Sequence, residues 1–92
     1  MVLLVSYDLR GRERPSSYQR VREYIEHHAI SFKRPLYSQW LIQTDANGAA
    51  WRKALKDNAL IDDDDRLLIC HVVGPYDGWL PRQYWDWLAA RT

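Results

Sequence analysis

Cysteine is almost absent from this chain, since Cys70 is the single one among 92 residues. One cysteine excludes an intrachain disulfide framework and any zinc site built from several cysteines, and it fits a reducing compartment. Long apolar runs are also missing. The run from Val2 to Val5 is far shorter than a membrane span or the apolar part of a secretory signal. We therefore expect a cytoplasmic protein without a membrane partner.

A large excess of positive charge is lacking as well. Lys and Arg total 13 and Asp and Glu total 12, so the formal net charge is +1. This balance argues against a protein that binds nucleic acid by electrostatics alone. The basic residues are nevertheless concentrated between Arg10 and Arg34, whereas an acidic run extends from Asp62 to Asp65. The chain can thus carry one basic surface, although a solvated loop and helix face explains the same pattern equally well.

The pattern of apolar residues predicts one small α+β domain. The predicted elements are a strand at 2–7, a helix at 16–29 with Ser16 as N-cap, an extended segment at 30–44 broken at Pro35, a helix at 47–57 and a strand at 66–73. This order favours a ferredoxin-like βαββαβ sandwich at 1–75, with an antiparallel sheet and two helices on one face. A small open α/β fold is the alternative.

A Trp-rich extension follows at 76–92, and Pro81 is a suitable start for a short helix there. Both faces of the first and last predicted strands are largely apolar, but two helices on one side of a sheet cover only one face. The second face must therefore be covered by a second subunit or by the extension itself. We favour a homodimer, because two-fold symmetry is the commonest assembly. Packing of the extension on its own domain is the alternative.

Asp8 is the best single candidate for chemistry. It follows the first predicted strand and precedes a loop that contains Gly11 and several arginines. A carboxylate at a strand end suits Mg²⁺, which takes one or two protein carboxylates and fills its remaining positions with water and phosphate. Two copies of Asp8 at a dimer axis would supply both carboxylates. A structural role, in which Asp8 caps the following turn, is the alternative.

Motifs for other chemistries are missing from the sequence. There is no Walker loop, no dinucleotide-binding glycine pattern and no Gly-x-Ser-x-Gly motif. The run from Asp62 to Asp65 lacks the glycine and the final glutamate of an EF-hand loop, so a solvated turn is the better interpretation. The arginines after Asp8 suit phosphate contacts, because guanidinium groups bind phosphate oxygens in pairs.

Three short segments resemble one known family. The segment 4–9 reads LVSYDL and is similar to that family's first strand, which ends in Tyr-Asp-(Ile/Leu). The family favours Arg-x-Gln-x-Ser-x-Phe in the next segment, where this chain has Arg34, Leu36, Ser38 and Trp40. The segment 65–69 reads DRLLI and resembles a late strand led by Asp. The chain thus resembles the small CRISPR-associated endonucleases of spacer acquisition and their relatives outside CRISPR loci, including the virulence-associated protein D group.

This resemblance implies a ferredoxin-like homodimer of prokaryotic or mobile-element origin, in which Asp8 of both chains shares one Mg²⁺. It also implies metal-dependent hydrolysis of RNA or DNA, or a structural role in holding DNA. The residues expected to contact nucleic acid are Arg10, Arg12, Arg14, Arg34 and Ser38. The chain departs from the family at Leu36, at Leu41 and in its tail.

Two hypotheses about function follow. The first is a Mg²⁺-dependent nuclease, and the second is a non-catalytic dimeric module that binds nucleic acid, or a protein through its tail. A toxin–antitoxin component is a third hypothesis by analogy alone.

Overall fold

The computed structural model describes residues 1–10 and 15–92. In this part of the chain seven elements follow in the order β-α-β-β-α-β-α. They are β1 (Val2–Asp8), α1 (Pro15–His28), β2 (Ser31–Leu36), β3 (Gln39–Gln43), α2 (Gly48–Asp57), β4 (Arg66–His71) and α3 (Arg82–Arg91). The predicted α+β class is therefore confirmed, and the order contains one helix more than βαββαβ.

The four strands form one antiparallel sheet in the order β2-β3-β1-β4. The central strand β1 places Val5 opposite Trp40 of β3 on one side and opposite Ile69 of β4 on the other. Since side chains alternate along a strand, the odd-numbered residues of β1 face α1 and α2, and the even-numbered residues face the other way. Asp8 is the last residue of β1 and belongs to the second group.

The extended segment at 30–44 divides into two strands at a different place from the one predicted. The chain turns at Tyr37 and Ser38, and β3 begins only at Gln39. Pro35 lies within β2, where the pairing with β3 shifts register between Lys33 and Leu36. An edge strand with an irregular register tolerates a proline, because few of its N–H groups bond to a neighbour.

Local sequence explains both helices of the first layer. Val21 and Ile25 are buried and lie one turn apart on α1. Helix α1 begins at Pro15, so Ser16 lies inside the helix and the prediction of Ser16 as its N-cap is wrong. In α2 the side chain of Asn47 accepts a hydrogen bond from the N–H of Ala50 at 2.9 Å, which is the N-cap interaction that starts a helix.

The larger apolar cluster lies between the sheet and the helices α1 and α2. Its buried members are Leu3, Val5, Tyr7, Leu9, Val21, Ile25, Trp40, Ile42, Trp51, Leu55, Leu60 and Ile61. Helix α2 approaches β4 closely at Gly48, where an added Cβ would lie 3.2 Å from Cγ2 of Ile69. A glycine at this position therefore allows the tight contact between helix and strand.

A second, smaller cluster covers part of the opposite sheet face. Trp87 and Leu88 of α3 are buried with Val2 and Leu41, and Leu4 packs against them. Side-chain bonds join α3 to the sheet: the Trp87 indole donates to Oγ of Ser31 at 2.9 Å, and Nε of Arg91 donates to Oε1 of Gln43 at 2.9 Å. The Tyr84 hydroxyl also donates to the carbonyl oxygen of Arg34 at 3.4 Å. The extension thus lies against its own domain.

Helix α3 leaves the far end of this face open. Its buried contacts cluster around Val2 and Leu41, whereas Leu68 of β4 remains 58% exposed. The homodimer stays a prediction, and the open end is where a second copy has room to pack. Among residues 1–10 and 15–92, no helix is long and apolar enough to cross a membrane.

Candidate functional site

The open end of the second sheet face carries the predicted site residue Asp8. The strand pairing places Arg66 opposite Asp8, and Ser6 lies between Gln39 and Leu68. Side chains at directly opposed positions share one face of an antiparallel pair. We call this group (Ser6, Asp8, Gln39, Arg66 and Leu68) the Asp8 end of the sheet.

Polar groups at the Asp8 end are accessible to solvent or to a ligand. Asp8 and Arg66 are exposed, and a shallow depression of about 230 Å³ lies beside them, also lined by Ser6 and Leu68. Nε2 of Gln39 donates to Oγ of Ser6 at 3.4 Å. Within the described residues the Asp8 carboxylate makes no hydrogen bond or ion pair, whereas the backbone oxygen of Asp8 accepts from the N–H of Arg10 at 3.1 Å. The carboxylate is therefore available for binding.

The Asp8 end offers one carboxylate per protomer, which is the smallest number of protein carboxylates that a Mg²⁺ site usually has. Residues 1–10 and 15–92 contain no group of three or more His, Cys, Asp or Glu residues that could hold a metal ion. One protomer offers the Asp8 carboxylate and the nearby Ser6 hydroxyl, and Mg²⁺ accepts one or two carboxylates with water and phosphate. Arg66 on the neighbouring strand favours a phosphate at the same place. A second Asp8 from another copy would complete a two-carboxylate site.

The predicted nucleic-acid contacts lie in different places. Arg10 is exposed beside Asp8, while Arg12 and Arg14 lie outside the described residues. Ser38 reaches the end of β1 through its backbone, since its carbonyl oxygen accepts from the N–H of Tyr7 at 3.1 Å.

Arg34 lies on the α1 side of the hairpin. Its Nε and Nη2 donate to the carbonyl oxygen of Tyr37 at 2.9 and 2.6 Å. Its guanidinium carbon lies 4.8 Å from the centre of the Tyr37 ring and 5.0 Å from that of Trp40. Lys33, the preceding residue, lies on the other side of the sheet, 6.0 Å from the ring of Tyr84 in α3. The predicted basic residues thus do not all share one surface.

Arg34 belongs to a group of aromatic side chains that the sequence analysis missed. The rings of Tyr7 and Tyr18 are 5.9 Å apart, and those of Tyr18 and Tyr37 are 5.3 Å apart. The indole N–H of Trp40 donates to the Tyr7 hydroxyl at 2.9 Å. We call these residues (Tyr7, Tyr18, Arg34, Tyr37 and Trp40) the Tyr37 cluster. Every member contacts two others, so the cluster forms a closed circuit.

Burial distinguishes Tyr7 from the exposed end of the cluster. Burial raises the pKa of the Tyr7 hydroxyl above its ordinary value, and the hydrogen bond from Trp40 and the charge of Arg34 oppose this increase. Tyr7 is therefore a neutral structural anchor. Tyr37, at the opposite side of the circuit, is 64% exposed.

The acidic run forms a turn in which the side chains of Asp62, Asp63 and Asp65 pair with neighbouring N–H groups or with Lys56. The N–H of Asp64 donates to Oδ1 of Asp62 at 2.9 Å, and the N–H of Asp62 donates to Oδ2 of Asp65 at 3.0 Å. Asp63 pairs with Lys56 of α2 at 2.9 Å. These bonds agree with a structural turn that joins α2 to β4.

A comparison with protein-family models gives no match, and a comparison with curated proteins gives none either.

Proposed function

We propose that the protein is a ferredoxin-like homodimer that cleaves phosphodiester bonds of RNA or DNA with the help of Mg²⁺. The observation that carries this proposal is the exposed carboxylate of Asp8, which ends the central strand on the part of the sheet face that α3 leaves open. The ferredoxin-like assignment is supported by the first six elements, which run βαββαβ, and by the strand order β2-β3-β1-β4.

The proposed dimer packs through the Asp8 end of the sheet. Leu68 lies on this face opposite Ser6 and is 58% exposed, so burying it against a second copy stabilises the pair. A two-fold axis beside β1 would bring the two Asp8 carboxylates toward each other. Two Asp8 carboxylates would then bind one cation, whereas a single protomer supplies only one carboxylate.

The side chains at the Asp8 end have different proposed roles in binding the metal ion and the phosphate. Asp8 of each copy would hold Mg²⁺, which when bound would polarise a scissile phosphate and lower the pKa of an attacking water. Arg66 opposite Asp8 and the exposed Arg10 would bind phosphate oxygens. Such contacts position the backbone without reading bases, so we expect little sequence preference.

The activity test compares Asp8→Asn with a matched control. Asp45 is also exposed but follows β3 at the opposite end of the sheet, so Asp45→Asn makes the same chemical change away from the site. Single-stranded RNA and duplex DNA are incubated with each protein in Mg²⁺ or in chelator. We expect cleavage only in Mg²⁺, its loss in Asp8→Asn and its retention in Asp45→Asn. Cleavage that continues unchanged in Asp8→Asn contradicts the mechanism.

A separate experiment tests the dimer. Sedimentation equilibrium gives the mass of the wild type and of Leu68→Lys, which places a charge in the proposed interface. We expect a dimeric wild type and a monomeric variant with an unchanged circular dichroism spectrum and no cleavage. A monomeric wild type that still cleaves would show that one Asp8 is sufficient, and the shared site would be wrong.

A non-catalytic role in binding a protein partner is the second candidate. It is favoured by Trp79, which lies in the segment before α3 and is 100% exposed. Large aromatic side chains are frequent anchors of protein interfaces. In this case Trp79→Ala abolishes partner binding, whereas Asp8→Asn leaves it intact. Binding should also respond weakly to salt, because a nucleic-acid ligand would instead lose affinity as salt rises.

A further inference from the structure

Tyr37 combines strong exposure with a fixed position. The residue is 64% exposed at the tip of the β2–β3 hairpin, yet its ring contacts the Tyr18 ring at 5.3 Å and the Arg34 guanidinium at 4.8 Å. An exposed tyrosine that is already held in place loses little conformational entropy when a ligand covers it. Burial in the core does not explain this arrangement, because Tyr37 remains largely exposed.

We propose that the Tyr37 cluster binds an unpaired base of a single-stranded nucleic acid, with the base stacked on the Tyr37 ring. The inference rests on the proposed function only in taking nucleic acid as the ligand, and it does not require cleavage. Aromatic side chains beside a positive groove are the common means by which proteins bind single strands.

The closed circuit explains why Tyr37 is a suitable platform. Tyr18 supports the ring from α1, and its hydroxyl accepts from the N–H of Leu9 at 3.3 Å. Tyr7 and Trp40 anchor the circuit in the core through their hydrogen bond at 2.9 Å. Arg34 closes it between Trp40 and Tyr37. A base that stacks on Tyr37 thus meets a rigid surface.

The charge beside Tyr37 favours a phosphate-bearing ligand. Arg22 and Arg34 line a small depression of about 150 Å³ together with Tyr37. Arg34 uses Nε and Nη2 on the Tyr37 carbonyl, and within the described residues its Nη1 makes no hydrogen bond. A guanidinium that is fixed by rings and still has an unused donor is well suited to a phosphate oxygen. Glu26, the nearby acid, pairs with Arg22 at 3.6 Å.

Stacking on Tyr37 requires an uncovered base face, so we expect a preference for single strands over duplexes. In a duplex each base is covered by its neighbours, so no base face is available to an outside ring. The hairpin tip also lies beside the Asp8 end of the sheet, because the N–H of Tyr7 donates to the carbonyl of Ser38 at 3.1 Å. A strand stacked on Tyr37 therefore lies at the same end of the sheet as Asp8, although Asp8 belongs to the opposite face.

The test measures binding without cleavage. Fluorescence anisotropy of a labelled oligothymidine and of a matched duplex is recorded in chelator for the full chain and three variants. Tyr37→Ala should weaken single-strand binding by about 5-fold to 150-fold and change duplex binding by less than about 2-fold. Tyr37→Phe keeps the ring and should restore the wild-type affinity. Ile30→Ala removes an apolar side chain that is 60% exposed just before β2, at the end of that strand away from Tyr37, and should have no effect.

The salt dependence separates stacking from charge. Arg34→Ala should reduce the slope of log affinity against log salt by about one phosphate contact, whereas Tyr37→Ala should leave the slope unchanged. A loss of affinity in Tyr37→Ala that Tyr37→Phe fails to restore would overturn the stacking role, as would equal affinity of the wild type for both oligonucleotides.

The outcomes also separate this inference from the proposed nuclease. Single-strand binding that depends on Tyr37 but is not followed by cleavage in Mg²⁺ supports the inference and contradicts the nuclease. Cleavage in Mg²⁺ with unchanged binding by Tyr37→Ala contradicts the inference and leaves the nuclease standing. A wild type that binds neither oligonucleotide overturns both.

Discussion

Replacement of Trp87 by alanine tests whether α3 is part of the folded sheet. Trp87 is 7% exposed, packs against Val2 and Leu41, and donates its indole N–H to Ser31 at 2.9 Å. A buried tryptophan removes about 200 Å² from water, which corresponds to about 5 kcal/mol at about 25 cal/mol per Å². The alanine methyl retains part of this area, while the lost hydrogen bond adds about 1 kcal/mol. We expect a loss of about 3–5 kcal/mol in the free energy of unfolding.

This loss is large for a chain of 92 residues, because domains of this size have unfolding free energies of about 5–14 kcal/mol. Urea denaturation followed by far-UV circular dichroism measures the change without relying on tryptophan fluorescence. Trp79→Ala is the matched control, since Trp79 is 100% exposed and its replacement should change stability by less than about 0.5 kcal/mol. If both variants lose the same small amount, α3 does not pack on the sheet in solution, and the reasoning fails.

Three further predictions concern two single hydrogen bonds and one titration. Tyr7→Phe removes the acceptor of the buried Trp40 indole N–H, so urea denaturation should show a loss of about 1–3 kcal/mol; an unchanged midpoint would mean that water replaces the hydroxyl. Because burial raises the pKa of Tyr7, its contribution to stability is complete below the unfolded value of 10.0 and is lost as pH rises toward the higher folded value. The melting temperature should therefore fall more steeply above pH 10.0 for the wild type than for Tyr7→Phe. Parallel plots of melting temperature against pH for the two proteins would contradict this assignment. Asn47→Ala removes the N-cap of α2 and should cost about 1 kcal/mol by the same denaturation assay, whereas a loss near zero would mean that the cap is unimportant.

The helices were predictable because their signals are local. Asn47 caps α2 through a bond to a residue three positions away, and Trp51 and Leu55 repeat at helical spacing on its buried face. The hairpin was harder to predict. The sequence predicts a break in the extended segment at Pro35, but the chain turns two residues later at Tyr37 and Ser38. An irregular edge strand can contain a proline, so the residue that usually ends a strand did not mark the turn here.

Asp8 and the Tyr37 cluster also differ in how far the sequence predicts them. Asp8 was found from sequence because a lone acid after an apolar strand is a local pattern. The Tyr37 cluster was missed because Tyr7, Tyr18 and Tyr37 lie on three different elements, and only their packing brings the rings together. A weak signal was present, since Tyr7 and Trp40 occupy core-facing positions although both carry a polar atom that must find a partner.

By itself, the sequence determined the α+β class, the approximate positions of the helices and the need to cover both sheet faces, because these follow from the periodicity of apolar residues along the chain. Only the tertiary structure decided that α3 covers part of the second face and leaves Leu68 and Asp8 open. The physical reason is that periodicity shows which side chains must be buried, whereas the segment that buries them is selected by shape and hydrogen bonding between residues far apart in the chain, such as Ser31 and Trp87.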